Sequence, residues 1–175
     1  MTAPVLVSYT TRSGSTGEVA EAVGAALQSE NLEPEVLPMH AVESLTGRSF
    51  LILGAPLYVG RLPREFHQFM ARHREVLQRL RPWIFILGPT RNIPADFEMA
   101  RRQAARQLER YDWLQAAEVH VLGGRFDVRR MPAPLSLLHR LPLPALRKIP
   151  MTDIRDWVEI RAWARSVALQ IKAAA

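Results

Sequence analysis

The chain has 175 residues, 48% hydrophobic and 23% charged, a balance that supports a packed core under a polar surface and excludes wholesale disorder. Cysteine is absent, which removes disulfide frameworks, thiolate metal sites, iron–sulfur ligation and cysteine nucleophiles. Lys plus Arg exceeds Asp plus Glu by 23 − 17 = 6, and a basic balance points to anionic company. Lys148 and Lys172 are the only lysines, so arginine-favouring coding bias is an equal reading of that charge.

In chain order, Val5-Leu6-Val7-Ser8-Tyr9 is a short, β-branched apolar run closed by hydroxyl residues and glycine, which reads as a buried strand. From Ser15 the apolar positions Val19, Ala20, Val23 and Leu27 share one helical face, and Ser15 with Glu18 has capping-box spacing. Residues 35–37 make a weak second strand between Pro34 and Pro38. Residues 50–54 make a third, apolar on both faces as a central parallel strand must be. A helix is expected from Pro63, with the stripe Phe66, Phe69, Met70, His73, Leu77 and Leu80. Residues 83–88 read as a fourth strand. Phe97, Ala100, Ala104, Leu108 and Tyr111 mark another helix, and residues 118–123 a fifth strand. A last helix is expected from about Thr152, striped by Trp157, Ile160, Ala164, Val167 and Ile171. This rhythm predicts an α/β chain: a three-layer, doubly wound, five-stranded parallel sheet in one domain over 1–175, interrupted by a long insertion at 124–150.

In such sheets ligands bind beyond the carboxyl ends of the strands. After the first strand, Thr10, Thr11, Arg12, Ser13, Gly14, Ser15 and Thr16 place hydroxyls, a glycine and one cation directly before a helix, whose unpaired amides suit a phosphate. Taken alone, the same residues also read as an ordinary strand-to-helix turn. The GxxxxGK[ST] and GxGxxG patterns are absent, which excludes a nucleoside-triphosphate P-loop and a dinucleotide fingerprint. A phosphorylated receiver is excluded too, because the first and third strands end in Ser8-Tyr9 and Gly54-Ala55 rather than aspartate. After the third strand come Pro56, Leu57, Tyr58, Val59 and Gly60; after the fourth, Pro89, Thr90 and Arg91. Tyr58 is suited to stacking on a planar ring, or to packing on a neighbouring helix.

The hydroxyl-rich turn from Thr11 to Thr16 resembles the flavodoxin phosphate loop, and residues 54–60 resemble the loop bordering the flavin ring. A narrower resemblance is to the flavodoxin-like, menaquinone-dependent protoporphyrinogen oxidase group. It rests on Thr11-Arg12-x-Gly14-x-Thr16, a displaced Tyr58-Val59-Gly60, Gly123-Gly124-Arg125-x-Asp127, and the ending from Thr152 to Ala164. The resemblance implies strand order 2-1-3-4-5 and one noncovalent FMN. Thr11 to Thr16 would hold its phosphate, Pro56 to Gly60 one side of its ring and Pro89 to Arg91 the other. It further implies oxidation of a reduced tetrapyrrole or similar planar donor with a quinone-type acceptor, Arg91, Arg61 or Arg125 attracting substrate carboxylates or the flavin edge. No protein catalytic residue and no metal site is expected, since the flavin carries the electron chemistry. The chain departs from typical flavodoxins in its basic charge and its few ring-flanking aromatics.

Residues 124–150 mix Arg125, Arg129, Arg130, Arg140, Arg147 and Lys148 with leucines, and Pro142 with Pro144 prevents one continuous helix. This composition suits an anionic membrane surface, and equally a loop packed on the sheet or a second subunit. With no apolar run of about 20 residues and no secretory start, the expected address is cytoplasmic, with peripheral contact at the inner membrane face through 124–150. The five histidines lack metal-ligand spacing, and the basic stripe Arg101, Arg102, Arg106 and Arg110 reads as a solvated face rather than a nucleic-acid contact. Two other readings stay open: a one-electron flavodoxin-type carrier and a flavin-free binding domain.

Overall fold

The structure, a computed structural model, describes residues 4–127 and 151–175. Five strands form one parallel sheet: β1 (Val5–Tyr9), β2 (Pro34–Pro38), β3 (Phe50–Pro56), β4 (Trp83–Leu87) and β5 (Glu118–Leu122), in the order β2-β1-β3-β4-β5. The helices are α1 (Ser15–Ser29), α2 (Arg64–Arg72), the short α3 (Arg74–Leu77), α4 (Pro94–Leu108) and α5 (Trp157–Ala174). The expected doubly wound α/β architecture and order 2-1-3-4-5 are what the chain adopts.

The layers follow from the two-residue period of a strand. Val5 and Val7 of β1, with Trp83, Phe85 and Leu87 of β4, turn to the layer of α1 and α5. Leu6, Ile84 and Ile86 turn to the opposite layer, against Phe66, Phe69 and Met70 of α2 and Ala100 and Ala104 of α4. Both faces are therefore apolar, as a sheet covered on both sides requires. β3 runs to Pro56, two residues past the expected end at Gly54. Gly54 is an interior strand position whose missing side chain makes room for Phe85: a Cβ there would land on the Phe85 ring.

Three other expectations are corrected. The helix expected from Pro63 to Leu80 is two, because His73 leaves helical geometry (φ −107°, ψ 15°) and ends α2. The last helix begins at Trp157 rather than Thr152. Residues Thr152–Asp153 (β7) instead pair antiparallel with Arg125–Phe126 (β6), and the Asp156 carboxylate accepts from the Val158 and Glu159 amides to open α5. The Ser15–Glu18 capping box does not form. The N-cap is Gly14, in left-handed geometry and without a side-chain cap bond, and Glu18 faces Arg155 and Arg125. Of the insertion, residues 128–150 lie outside the described residues, and the membrane expectation placed on them lies there too. Among the described residues no helix is long and apolar enough to cross a membrane.

Candidate functional site at the carboxyl ends of the strands

From β1 the chain crosses to β2 on one side, whereas from β3 it crosses to β4 on the other, so the winding reverses and a crevice opens between the carboxyl ends of β1 and β3. The Thr10 amide donates to the Gly54 carbonyl across this junction at 2.9 Å. The Thr10 side chain is buried and its hydroxyl donates a hydrogen bond to Glu65 of α2, whose other oxygen meets His40 Nδ1 at 3.0 Å. Thr10 thus joins a network under the turn, and the exposed part of the turn starts at Thr11.

From there the turn organises itself. Thr11 Oγ1 accepts from the Gly14 amide at 3.0 Å, and Gly14 takes φ +86° with nothing within 4 Å of where a Cβ would sit. Ser13 and Ser15 hydroxyls approach to 3.4 Å. The first intrahelical bond of α1 runs from the Glu18 amide to the Gly14 carbonyl. The amides before it have no intrahelical acceptor and carry the positive end of a 15-residue helix. Thr16 Oγ1 is buried with no hydrogen-bond partner, a costly state for a hydroxyl and the kind that a ligand oxygen relieves.

Behind the turn stands a clamp that sequence reasoning missed. Arg155, with only 3% of its side chain exposed, donates to Glu18 at 2.7 Å, to both oxygens of Asp153 at 2.6 and 2.8 Å, and to the Ser15 carbonyl at 3.3 Å. Its guanidinium also lies 4.7 Å from the Trp157 ring centroid. Hydrogen bonds from Arg155 hold the Asp153 carboxyl below its ordinary pKa, against the opposing effect of burial. The only sequence signal for Arg155 was its place in the carboxyl-terminal resemblance, because Glu18 and the Ser15 carbonyl, which it ties together, lie 137 and 140 residues away.

On the other side of the crevice, residues 58–61 make a tight turn. The Tyr58 and Arg61 amides and carbonyls bond to each other at 3.0 Å in both directions. Val59 (φ 49°) and Gly60 (φ 73°) are both left-handed, which glycine tolerates and a β-branched residue adopts at a cost. The Arg12 guanidinium sits 5.5 Å from the Tyr58 ring centroid, so the two loops touch, and the Tyr58 hydroxyl oxygen is buried without a partner.

Two cavities flank these loops. One of about 310 Å³ is lined by Ser15, residues 56–59, 87–90 and 124–126. The other, of about 440 Å³, lies on the α4 side and shares Leu57, Val59 and Gly88 to Thr90 with the first, adding Gly60, Arg91 and side chains of α4 such as Gln103. The structure therefore brings Ser15, Pro56, Leu57, Tyr58, Val59, Pro89 and Thr90 to one cavity, and Ser15 is the residue of the 10–16 turn that lines it. Gly60 and Arg91 lie in the neighbouring one. Arg91 is engaged, its guanidinium bonded to both oxygens of Asp96 at 2.8 and 3.1 Å. Gly124, Arg125 and Phe126 form a wall of the 310 Å³ cavity; of these Arg125 was expected to attract substrate carboxylates or the flavin edge, and Gly124 stood only in the Gly123-to-Asp127 resemblance.

Residues 6–149 match the model of the flavodoxin domain family. The chain belongs to that family. FMN, which the resemblance implies, is the cofactor of flavodoxins. Among solved structures the fold is similar to oxidised flavodoxin 1 from Bacillus cereus, with 15% identity, 98% of each chain covered and a TM-score of 0.57. It is similar also to a cysteine variant of flavodoxin from Pseudomonas aeruginosa, with 16% identity, 97% of this chain and 99% of that one covered, and a TM-score of 0.58. Rubredoxin oxygen:oxidoreductase from Desulfovibrio gigas carries a similar unit, with 10% identity, 97% of this chain and 36% of that one covered, and a TM-score of 0.52. At these identities the likeness is one of fold. No curated relative matches the sequence.

Proposed function

We propose that this flavodoxin-domain chain binds one FMN in the 310 Å³ cavity and works as a flavin redox protein. The observation that carries the proposal is the buried, unpartnered Thr16 hydroxyl in the first turn of α1, next in the chain to Ser15, which lines an apolar slot with Pro56 to Tyr58 and Gly88 to Thr90. In this reading the amides of the turn, with the Thr11, Ser13, Ser15 and Thr16 hydroxyls, would hold the phosphate, and Arg12 would add one positive charge at the rim. Leu57, Tyr58 and Pro89 would bear on the ring and exclude water from it, and Arg155 positions the helix start without touching the cofactor. Bound FMN supplies acceptance and release of one or two electrons.

FMN titration of the purified chain tests this, with riboflavin as the control lacking a phosphate. The expected result is a flavin absorbance spectrum that stays with the protein, and FMN held at least about tenfold more tightly than riboflavin, since each charge-assisted phosphate bond contributes on the order of 1.5–3 kcal/mol. Absence of binding, or equal binding of the two, rejects the site.

A narrower reading is an oxidoreductase resembling protoporphyrinogen oxidase, in which a reduced tetrapyrrole or similar planar donor loses electrons and protons and a quinone gains them. It is favoured by one observation: Gly124 and Arg125, two positions of the Gly123-Gly124-Arg125-x-Asp127 run that resembles that group, border the cavity. Sustained turnover of a porphyrinogen with a quinone supports it. An FMN-loaded chain that is reduced and reoxidised only by other redox proteins is a carrier instead.

A further inference from the structure

At the amino ends of β3 and β4, the pole of the sheet away from the crevice, the last turns of α5 border a further cavity of about 390 Å³. Its apolar wall includes Phe50, Leu80, Trp83 and Ala174. Phe50 opens β3 and Trp83 opens β4, and their rings lie 6.3 Å apart between centroids, inclined by 44°. Pro56 and Leu87, at the other ends of the same two strands, line the 310 Å³ cavity. A strand rises about 3.3 Å per residue, so the two cavities stand roughly 20 Å apart along β3.

The charged groups at this pole have one sign. Arg79 and Arg81 flank Leu80 in the segment that leads into β4; both are exposed, and neither is ion-paired among the described residues. No acidic residue lines the cavity. Glu118, which follows the lining residue Ala117, is engaged elsewhere, by Trp163 Nε1 at 2.9 Å and by His120 at 3.4 Å. Gln170 of α5 accepts from Trp83 Nε1 at 3.0 Å. An indole nitrogen can only donate, so this bond occupies the amide oxygen of Gln170. The NH2 end of that amide has no acceptor among the described residues.

A slot with aromatic rings on one wall and only donors among its charged groups is complementary to a flat apolar molecule that ends in an anion. A neutral ring would leave the two like-charged guanidiniums unanswered. A bare anion would leave the Phe50–Trp83 wall in contact with water. We propose that this cavity binds a small aromatic carboxylate, its ring against Phe50 and Trp83 and its carboxylate accepting from Arg79, Arg81 and the Gln170 amide. Binding is noncovalent, and the site does not rest on the FMN reading above.

The test is calorimetric titration of the full chain with 2-naphthoate. Two probes each lack one half of the required chemistry: 2-naphthamide has the ring without the charge, and inorganic phosphate has charge without the ring. Two variants alter the site, Arg79→Gln with Arg81→Gln, and separately Ala174→Glu, which sets a carboxylate on the wall. Arg101→Gln with Arg102→Gln on α4 carries the same loss of charge away from the cavity. Naphthoate is expected to bind about fivefold or more tightly than either comparison probe. Each site variant should weaken it about fivefold or more, and the α4 variant should leave it unchanged.

Absence of naphthoate binding overturns the site. Equal weakening in the two double variants does so as well, because it reports the overall charge of the chain rather than a place on it. Phosphate or naphthamide binding as tightly as naphthoate shows that charge and ring are not read together, and also overturns it. Sedimentation velocity covers the remaining outcome: a dimer that Ala174→Glu dissociates, in a chain that takes up no naphthoate, makes this face a contact between copies instead.

Discussion

The two loops that face each other across the crevice are built on opposite principles. The turn after β1 is held from behind: Gly14 occupies the one conformation it suits, Thr11 bonds back to it, and Arg155 ties the first turn of α1 to β7. The turn after β3 is closed by its own two backbone bonds, places a valine in left-handed geometry and leaves that side chain wholly in water. Pre-organisation at one end suits a charged group that must always meet the same donors. Strain at the other end is retained where shape at the mouth matters more than stability.

The sharpest way to break this contrast is Arg155→Met. It removes a buried guanidinium from Glu18, Asp153 and the Ser15 carbonyl. Because both carboxylates are more than a third exposed, the expected loss is about 3 kcal/mol, the lower end for a broken buried pair, read by urea unfolding. FMN affinity should fall with it, while a conservative Arg155→Lys recovers only part of each.

Gly14→Ala comes next. Open space around the position removes any steric clash, so the cost is the left-handed backbone alone, about 1–2 kcal/mol, with weaker FMN binding in titration. Val59→Asn is predicted to act in the other direction. Asparagine tolerates left-handed geometry, and the variant should gain about 0.5–1 kcal/mol, seen as a rise in Tm of roughly 1–4 °C. An unchanged or lowered Tm would show that the turn is not strained.

The smallest effect concerns pH and the helix behind the second turn. Burial, aided by the Arg110 cation, lowers the pKa of His67, whose Nδ1 pairs with the Tyr111 hydroxyl; burial raises that of Tyr111. A histidine depressed in the folded state binds fewer protons there than in the unfolded chain. Stability should therefore be complete above the ordinary histidine value of about 6.5 and decline as pH falls below it. His67→Gln should flatten that decline in Tm against pH.

The same contrast separates what was legible from what was not. The strands and main helices could be read locally because a doubly covered parallel sheet writes itself as short apolar runs, and an amphipathic helix as a stripe such as Val19, Val23 and Leu27. The phosphate turn was legible because its hydroxyls and glycine are contiguous. The break at His73, the β6–β7 ribbon and the failure of the Ser15–Glu18 cap were not. In the last two a distant partner wins over a local preference: Arg125–Phe126 pairs with Thr152–Asp153, and Glu18 turns from its own helix start to Arg155 and Arg125.

By itself, then, the order of residues determined the layer architecture, the loops beyond the carboxyl ends of the strands as the place to look for a ligand, and a chemistry of hydroxyls and amides suited to phosphate. Those depend on periodicity and on neighbours a few residues apart. Only the tertiary structure decided that Thr10 turns under the loop to Glu65 and that Arg155 reaches across to Glu18 behind the turn. These are outcomes of side chains far apart in the chain competing for the same space and charge, and no local pattern encodes the winner.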